Sequence, residues 1–504
     1  MRINHFLSFI VLSALAITST VSGPGCANII PPEGGPRDSL PPVLRKSSPP
    51  DSTLRFNDNR ITLTFDEYVE IDNYLQNLIV SPVPTSMPNV TRKLNVVSIK
   101  LRDSLEANTT YSLDFGNSIK DVNEGNIFKN FTYVFSTGRY IDTLTFSGSV
   151  LLAEKGIADS TLTVMLHRTR EDSAVLKEKP RYVAKTNGSG EFTFRHLAPG
   201  NYYVYALQDQ SGSYRYMSTE SFFAFADSSI VVGEKKGTSP LTLYAYNIKK
   251  EAKPAATSAT KPNKNDKRLK VSTTLKENKQ SLLEPFAFLF ETPLKNFDSS
   301  KVRFATDSTF TAINTYSWET DSTTKKFTLN YNWIPNTQYH LILEKEFATD
   351  TLDHQLLRAD TISFYTNRTE DYGKLTLRFR NLDLSKNPVL QFVQSDEVVQ
   401  SFPLTSNSFS QTLFTPGDYT LRILNDTNKN GKWDPGNFFG KHQQPELVKP
   451  IQRKITVKSN WENQVEIDVN ATAPPADNAT PGANRPDQQP GNNNRLRGGG
   501  RILQ

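Results

Sequence analysis

Asn108-Thr109-Thr110-Tyr111 leads into Tyr111-Ser112-Leu113-Asp114-Phe115, an apolar–polar alternation that reads as one half-buried strand. The same lead returns 228 positions later as Asn336-Thr337-Gln338-Tyr339. Upstream, Phe65-Asp66-Glu67 returns as Phe290-Glu291-Thr292, each closing a strand-like run, Ile61 to Phe65 and Phe286 to Phe290. Downstream, Phe135-Ser136-Thr137 is matched by Phe364-Tyr365-Thr366. Further on, Ala198-Pro199-Gly200-Asn201-Tyr202 returns as Thr415-Pro416-Gly417-Asp418-Tyr419, at an offset of 217. The blocks keep their order, so the chain reads as a pair A-B followed by a second pair A′-B′.

Composition agrees with many short strands joined by polar turns: 30 Phe and 19 Tyr against only 4 Met, with Thr, Ser, Asn and Asp at the polar positions. The predicted fold class is all-β, four tandem β-sandwich modules. The net charge of +6 invites a nucleic-acid reading. Its location answers it. Lys249, Lys250, Lys253, Lys261, Lys264, Lys267, Arg268 and Lys270 face only Glu251 and Asp266, so this short stretch carries the whole excess. Mixed with Pro and Ala, it reads as a solvated spacer, with contact to anionic lipid as the alternative. It has neither a groove-entering element nor stacking aromatics, so no nucleic-acid partner is expected.

The N-terminus carries Arg2 and then an apolar run from Phe6 to Ile17, about 12 residues against the roughly 20 that span a bilayer. Small and breaker residues follow, and then Cys26, the only cysteine of 504 residues. This is the pattern of a secretory signal peptide, and one cysteine allows no intramolecular disulfide. A solitary cysteine at the cleavage point resembles a bacterial lipoprotein site. The resemblance implies cleavage before Cys26 and acylation of its sulfur and new amino group. Each buried CH₂ adds about 0.8 kcal/mol of anchoring. Ordinary secretion with an incidental cysteine is the alternative.

The expected organisation is a lipoprotein signal peptide over 1–25, a Pro/Gly-rich tether over 26–41, and module A over 42–138. Module B follows over 139–248, a basic linker over 249–269, A′ over 270–367, B′ over 368–470, and a disordered tail over 471–504. In module A, the acidic Asp66-Glu67 after the strand, Asn108-Thr109-Thr110-Tyr111, the turn Asp121-Val122-Asn123-Glu124-Gly125-Asn126 and the closing Phe135-Ser136-Thr137-Gly138 resemble the bacterial Ig-like domain of S-layer (SbsA) type. Cys26-Ala27 followed by Gly34-Gly35-Pro36-Arg37-Asp38-Ser39-Leu40-Pro41-Pro42 is similar to the start of Bacteroidota lipoproteins carrying that domain. Module A′ keeps the Phe290 strand, the Asn-Thr-x-Tyr lead and the final strand but lacks the Asp-x-Asn-x-Gly-Asn turn. In module B, Gly188-Ser189-Gly190-Glu191-Phe192-Thr193-Phe194 and the Pro199-Gly200 turn before alternating aromatics resemble the prealbumin-like sandwich of carboxypeptidase regulatory domains and collagen-adhesin B repeats.

One loop is chemically distinctive. Asp426-Thr427-Asn428-Lys429-Asn430-Gly431-Lys432-Trp433-Asp434 places oxygen side chains at Asp426, Asn428, Asn430 and Asp434, a turn glycine at Gly431, and the Lys432 carbonyl at the seventh position. That spacing is the beginning of a calcium loop, although Asn437 stands where the bidentate glutamate belongs. The same residues also cap a tight turn without metal. The six histidines are scattered singly, and no zinc pair, nucleophile elbow or phosphate loop occurs. The chain is therefore expected to be no enzyme. It reads as a lipid-anchored binding or scaffolding protein of the outer membrane, on the periplasmic face, with the membrane as one partner and another envelope protein as a second. A surface adhesin or glycan binder is the alternative, with Tyr214, Tyr216 and Trp433 as exposed aromatic candidates. A hydrolase built on a sandwich, with paired carboxylates, stands third.

Overall fold

The structure is a computed structural model that describes residues 37–209, 211–233, 240–249, 268–306 and 309–471. It is all-β, with 50% of residues in strands and 4% in helix. The strands pair within four groups, spanning 44–136, 144–245, 271–366 and 373–468. The predicted signal peptide and most of the tether, linker and tail lie outside the described residues. Where the tether's end is described, Arg37 donates to the Glu124 carbonyl and Asn126 to that of Asp38. Leu269, assigned to the linker, is buried in the third group's core.

The first and third groups share one topology. In the first, Leu44–Ser48, Arg60–Phe65, Val96–Lys100 and Asn89–Lys93 form one sheet in that order, and Phe131–Ser136, Thr110–Gly116 and Ile79–Ser81 form another. The third repeats the order with Val271–Thr273, Phe286–Phe290, Lys326–Asn330 and Ser317–Thr320, then Asp360–Thr366, Gln338–Leu343 and Val302–Thr306. Alternation does the packing: Ile61, Leu63 and Phe65 meet Leu113, Phe115, Tyr133 and Phe135 in one cluster.

The repeated Asn-Thr-x-Tyr lead works as a clasp. Asn108 and Asn336 adopt left-handed backbone at φ 51° and 52°, a conformation asparagine tolerates better than most residues. The Thr137 hydroxyl then accepts the Thr109 N–H at 3.0 Å and donates to the Glu106 carbonyl at 2.7 Å. Thr366 does the same with Thr337 N–H at 2.9 Å and the Ile334 carbonyl at 2.6 Å. Asp121 closes the neighbouring turn by accepting from the backbone N–H groups of Glu124, Gly125 and Asn126. Burial raises its pKa, and these N–H donors outweigh burial and hold it low.

The second and fourth groups form the other repeated pair. Each sets its first strand parallel to its last: Leu144–Leu152 beside Leu241–Ala245, and Gly373–Arg380 beside Glu462–Asp468. In each, a tyrosine after the Pro-Gly turn folds back on it. Tyr202 donates to the Ala198 carbonyl at 2.8 Å and Tyr419 to the Thr415 carbonyl at 2.9 Å. The glycines of these turns have φ 154° and 153°. Leu162–His167 is buried at every position, so both faces of its sheet are covered, the pattern of a continuous apolar run rather than an alternation.

His167, 1% exposed, lies on the outer face of that sheet with its ring edge-on to Tyr205. Burial pulls its pKa down to about 4, against a weaker opposing pull from Glu178. The folded state thus excludes a proton that the unfolded chain takes up below roughly 6.5. The neutral ring's contribution is complete above that value and is lost as pH falls toward about 4. We expect wild-type stability to decline through that window by roughly 3 kcal/mol more than that of His167→Gln, measured by urea titration at stepped pH.

Candidate functional site at the junction of the second and fourth groups

The predicted calcium loop begins the connection between the strands Gly417–Asn425 and Leu447–Val457, residues 426–446. Its counterpart in the second group, 209–222, is shorter by seven residues. The acidic first residue organises both loops. Asp426, 2% exposed, accepts the N–H groups of Lys429 at 2.7 Å, Asn430 at 3.3 Å and Gly431 at 2.7 Å. Asp209 accepts from Ser211 and Tyr214.

The structure brings three of the candidate ligands, Asn428, Asn430 and Asp434, together. Asn428 and Asn430 donate their side-chain amides to one oxygen of Asp434, at 2.6 and 2.7 Å. The Asn428 side-chain oxygen Oδ1 accepts Asn430 N–H, and Oδ1 of Asn430 accepts Lys432 N–H. Asn437 is drawn away, exchanging backbone hydrogen bonds with Gln443 at 2.8 Å. The two asparagines therefore meet Asp434 through amide N–H groups, and Asp426 is occupied by backbone N–H donors, the arrangement of a capped turn. Among the described residues, no group of three or more His, Cys, Asp or Glu side chains is placed to hold a metal ion.

Sequence reasoning missed Glu446. Its carboxylate, in a residue 6% exposed, accepts Thr427 N–H and hydroxyl through one oxygen and Asp434 N–H through the other. It fastens the loop's two ends. Trp433 adds its indole N–H to the Glu446 carbonyl at 2.8 Å.

Beyond Asp434 the loop crosses to the second strand group. Phe438, 3% exposed, enters a cluster of Tyr205, Tyr216, Phe223, Phe225 and Tyr246, with centroids 5.6, 5.3 and 5.0 Å from Tyr205, Phe223 and Phe225. Gln444 donates to the Phe225 carbonyl and to Asp227, His442 meets Asp172 at 2.9 Å, and Lys155 pairs with Asp396. Val448 N–H reaches the Ala153 carbonyl at 3.0 Å. At Gly436 a Cβ would lie 2.6 Å from the Tyr246 ring, so glycine is required by close approach.

This overturns one expectation. Tyr216 is 5% exposed and stacked on Phe223, while Tyr214 and Trp433 are half-buried against the same cluster. They serve the junction and offer no open platform. The signal that would have found the junction is Gly436-Asn437-Phe438-Phe439-Gly440, two phenylalanines between glycines in a polar loop. A counterpart of Asp121 was also missed: Asp350, 229 positions later, accepts Leu352 and His354 N–H.

A groove of about 840 Å³ lies between the first and second groups and carries one carboxylate, Asp114. A hydrolytic carboxylate pair has no seat in it. No helix among the described residues is long and apolar enough to cross a membrane.

Residues 38–137 match the bacterial Ig-like domain family, the stretch that holds the first strand group. No curated protein matches the chain. Among solved structures, the chain is similar to the Bacillus anthracis TIE protein at 12% identity, covering 87% of this chain and 75% of that one, with a TM-score of 0.16. The N-terminal part of the bacterial S-layer protein SbsC is 15% identical over 42% of this chain and 45% of that one, at 0.15. BcpA, the major pilin subunit of Bacillus cereus, is 10% identical over 64% of this chain and 99% of that one, at 0.15. The family match is confined to one of the four strand groups.

Proposed function

We propose that this protein is a non-catalytic scaffold of the bacterial cell envelope, carried on a lipidated Cys26 at the outer membrane of a Bacteroidota cell and facing the periplasm. One observation carries the scaffold reading: the loops that would present aromatic side chains to a ligand are used to fix one half of the chain to the other. The lone cysteine after a short apolar run supports the anchor, and the Ig-like match beginning at residue 38 supports a folded body close behind it. Ten residues lie between Cys26 and Arg37, so the body stands at most about 40 Å from the anchored sulfur.

Acylation is tested by metabolic labelling with palmitate and by fractionation. The wild-type protein is expected in the detergent-soluble membrane fraction and labelled, and Cys26→Ser unlabelled. A soluble, unlabelled wild-type protein defeats the anchor. Protection from protease added to intact cells is expected for the periplasmic face.

The scaffold reading makes the junction energetic. Phe438→Ala removes a ring from a closed aromatic cluster and should cost about 3–5 kcal/mol of junction stability. Protease cleavage between residues 249 and 268 should then release separable halves, whereas the cleaved wild-type halves should co-elute on size exclusion.

We assign the loop at Asp426, Asn428, Asn430, Lys432 and Asp434 a weak calcium role that braces this junction. With two carboxylates, the affinity should fall near the millimolar range of weak extracellular sites, roughly 10⁻⁴–10⁻³ M. Calcium should shift Trp433 fluorescence and raise the melting temperature in the wild type and leave Asp434→Asn unchanged. An unaltered wild type at about 10 mM calcium returns the loop to a turn role.

A further inference from the structure

We propose that the groove between the first and second strand groups is a binding site for a carboxylate- or phosphate-bearing oligosaccharide. This goes beyond the scaffold reading, which stands whether or not the groove is occupied. The floor is the outer face of the sheet Phe131–Ser136, Thr110–Gly116 and Ile79–Ser81. Register places Ile79, Asp114 and Thr132 in one cross-strand row and Ser81 with Ser112 in the next, while Val80, Leu113 and Tyr133 point into the core. The opposite wall comes from the second group, through Lys185, Thr193 and Arg195.

The walls are fixed relative to each other. Arg181 makes a two-pronged ion pair with Glu106 at 2.5 and 2.7 Å, Val83 N–H donates to the Arg181 carbonyl at 2.9 Å, and Lys179 reaches the carbonyls of Pro84 and Thr85. Bidentate geometry of this kind sets orientation as well as attraction. The groove is thus built before any ligand arrives.

The lining selects the ligand class. The side chains of Ser81, Ser112, Asn117, Asn130 and Thr132 have no hydrogen-bond partner within the described residues. Elsewhere in the chain such groups organise turns, as Asp121, Asn187 and Asp426 do. The exposed Arg195 likewise has no ion-pair or hydrogen-bond partner there. Lys185 donates to the Gln76 carbonyl at 2.7 Å and feels the Asp114 carboxylate across the groove. Two cations against Asp114 favour an anion. Peptide grooves need apolar pockets for alternate side chains, and here Ile79 is the one partly exposed apolar side chain on the floor. A ligand held by hydroxyl and amide bonds along its length, with a negative charge at Arg195, is an acidic sugar chain.

The duplication supplies the comparison. In the third group the equivalent outer face carries His340 opposite Ser363, and the Phe310 ring lies 4.8 Å from His340. An added strand, Thr311–Ala312, pairs along Val302–Thr306 there. The fold does not require the first copy's lining at this place, since the third group puts an aromatic ring and an added strand there.

The test is calorimetric titration of the detergent-purified full chain with oligogalacturonate and a phosphate-bearing oligosaccharide, with maltotetraose and oligoglutamate as controls. We expect an acidic oligosaccharide to bind and to weaken at least about tenfold both in Arg195→Glu and in Ser112→Tyr. The exposed Trp461→Ala should bind as wild type, and unchanged melting of Arg195→Glu shows that its fold is intact. The proposal falls if neither acidic oligosaccharide binds, if both groove variants bind as wild type, or if oligoglutamate binds more tightly, which would make the groove an acidic-peptide site.

Discussion

An apolar sheet face has to be covered, and the outer face of the sheet around Leu162–His167 and Gly200–Gln208 is apolar. Met165, Tyr205, Phe223 and Phe225 lie on it. At one end Ile79 and Val83 of the first group cover it; at the other, Phe438 and Trp433 of the fourth group do. One hydrophobic requirement therefore joins three of the four strand groups. At about 25 cal/mol per Å² of apolar surface, a few buried rings outweigh the exposed ion pairs around them. Lys155 with Asp396 and His442 with Asp172 set the register of the contact more than its strength.

Much of the architecture was legible in the sequence because its decisive residues have narrow backbone or bonding roles. The Asn-Thr-x-Tyr lead marks the clasp because asparagine takes the left-handed position and threonine bridges two backbone groups. The Pro-Gly-x-Tyr turn marks the other sandwich because the tyrosine hydroxyl closes on the carbonyl four residues back. The strand at Phe286–Phe290 falls where the repeat of the Phe65 run places it. The junction was not legible, since nothing local distinguishes an aromatic that awaits a ligand from one that meets a distant part of the chain. Tyr216 illustrates this: it sits in a loop beside Arg215 and Met217, and its partners Phe223 and Phe439 come from another strand and another group. Asp350 was hidden for the opposite reason. Its motif had drifted while its buried carboxylate kept the same work.

That work recurs. Asp121, Asp209, Asp350 and Asp426 each accept two or more backbone N–H groups of the turn that follows them. Such a carboxylate supplies the partners that a tight loop's amides lack, so a chain rich in turns is rich in aspartate without being rich in metal sites. The loop at Asp426 stands out only because Asn428 and Asn430 add side-chain hydrogen bonds to a second carboxylate, Asp434. The sequence pattern alone could not separate these two uses, because both begin with the same Asx geometry.

The two equivalent loops also explain why the halves close on each other. The 209–222 loop folds back on its own group, with Tyr216 N–H on the Val175 carbonyl. The 426–446 loop has the seven extra residues needed to cross and deliver Phe438. The contact is therefore heterologous: one half offers the long loop and the other the apolar face. Heterologous contacts between separate copies can extend without limit. Within one chain, the face on the second group is filled by its own fourth group. The short loop leaves the second group no equivalent arm to extend. Trp433, packed against both the second group's cluster and the small cluster of Val389, Leu424 and Val448, seals the remaining side. Unequal loop length turns a duplicated sequence into a closed body.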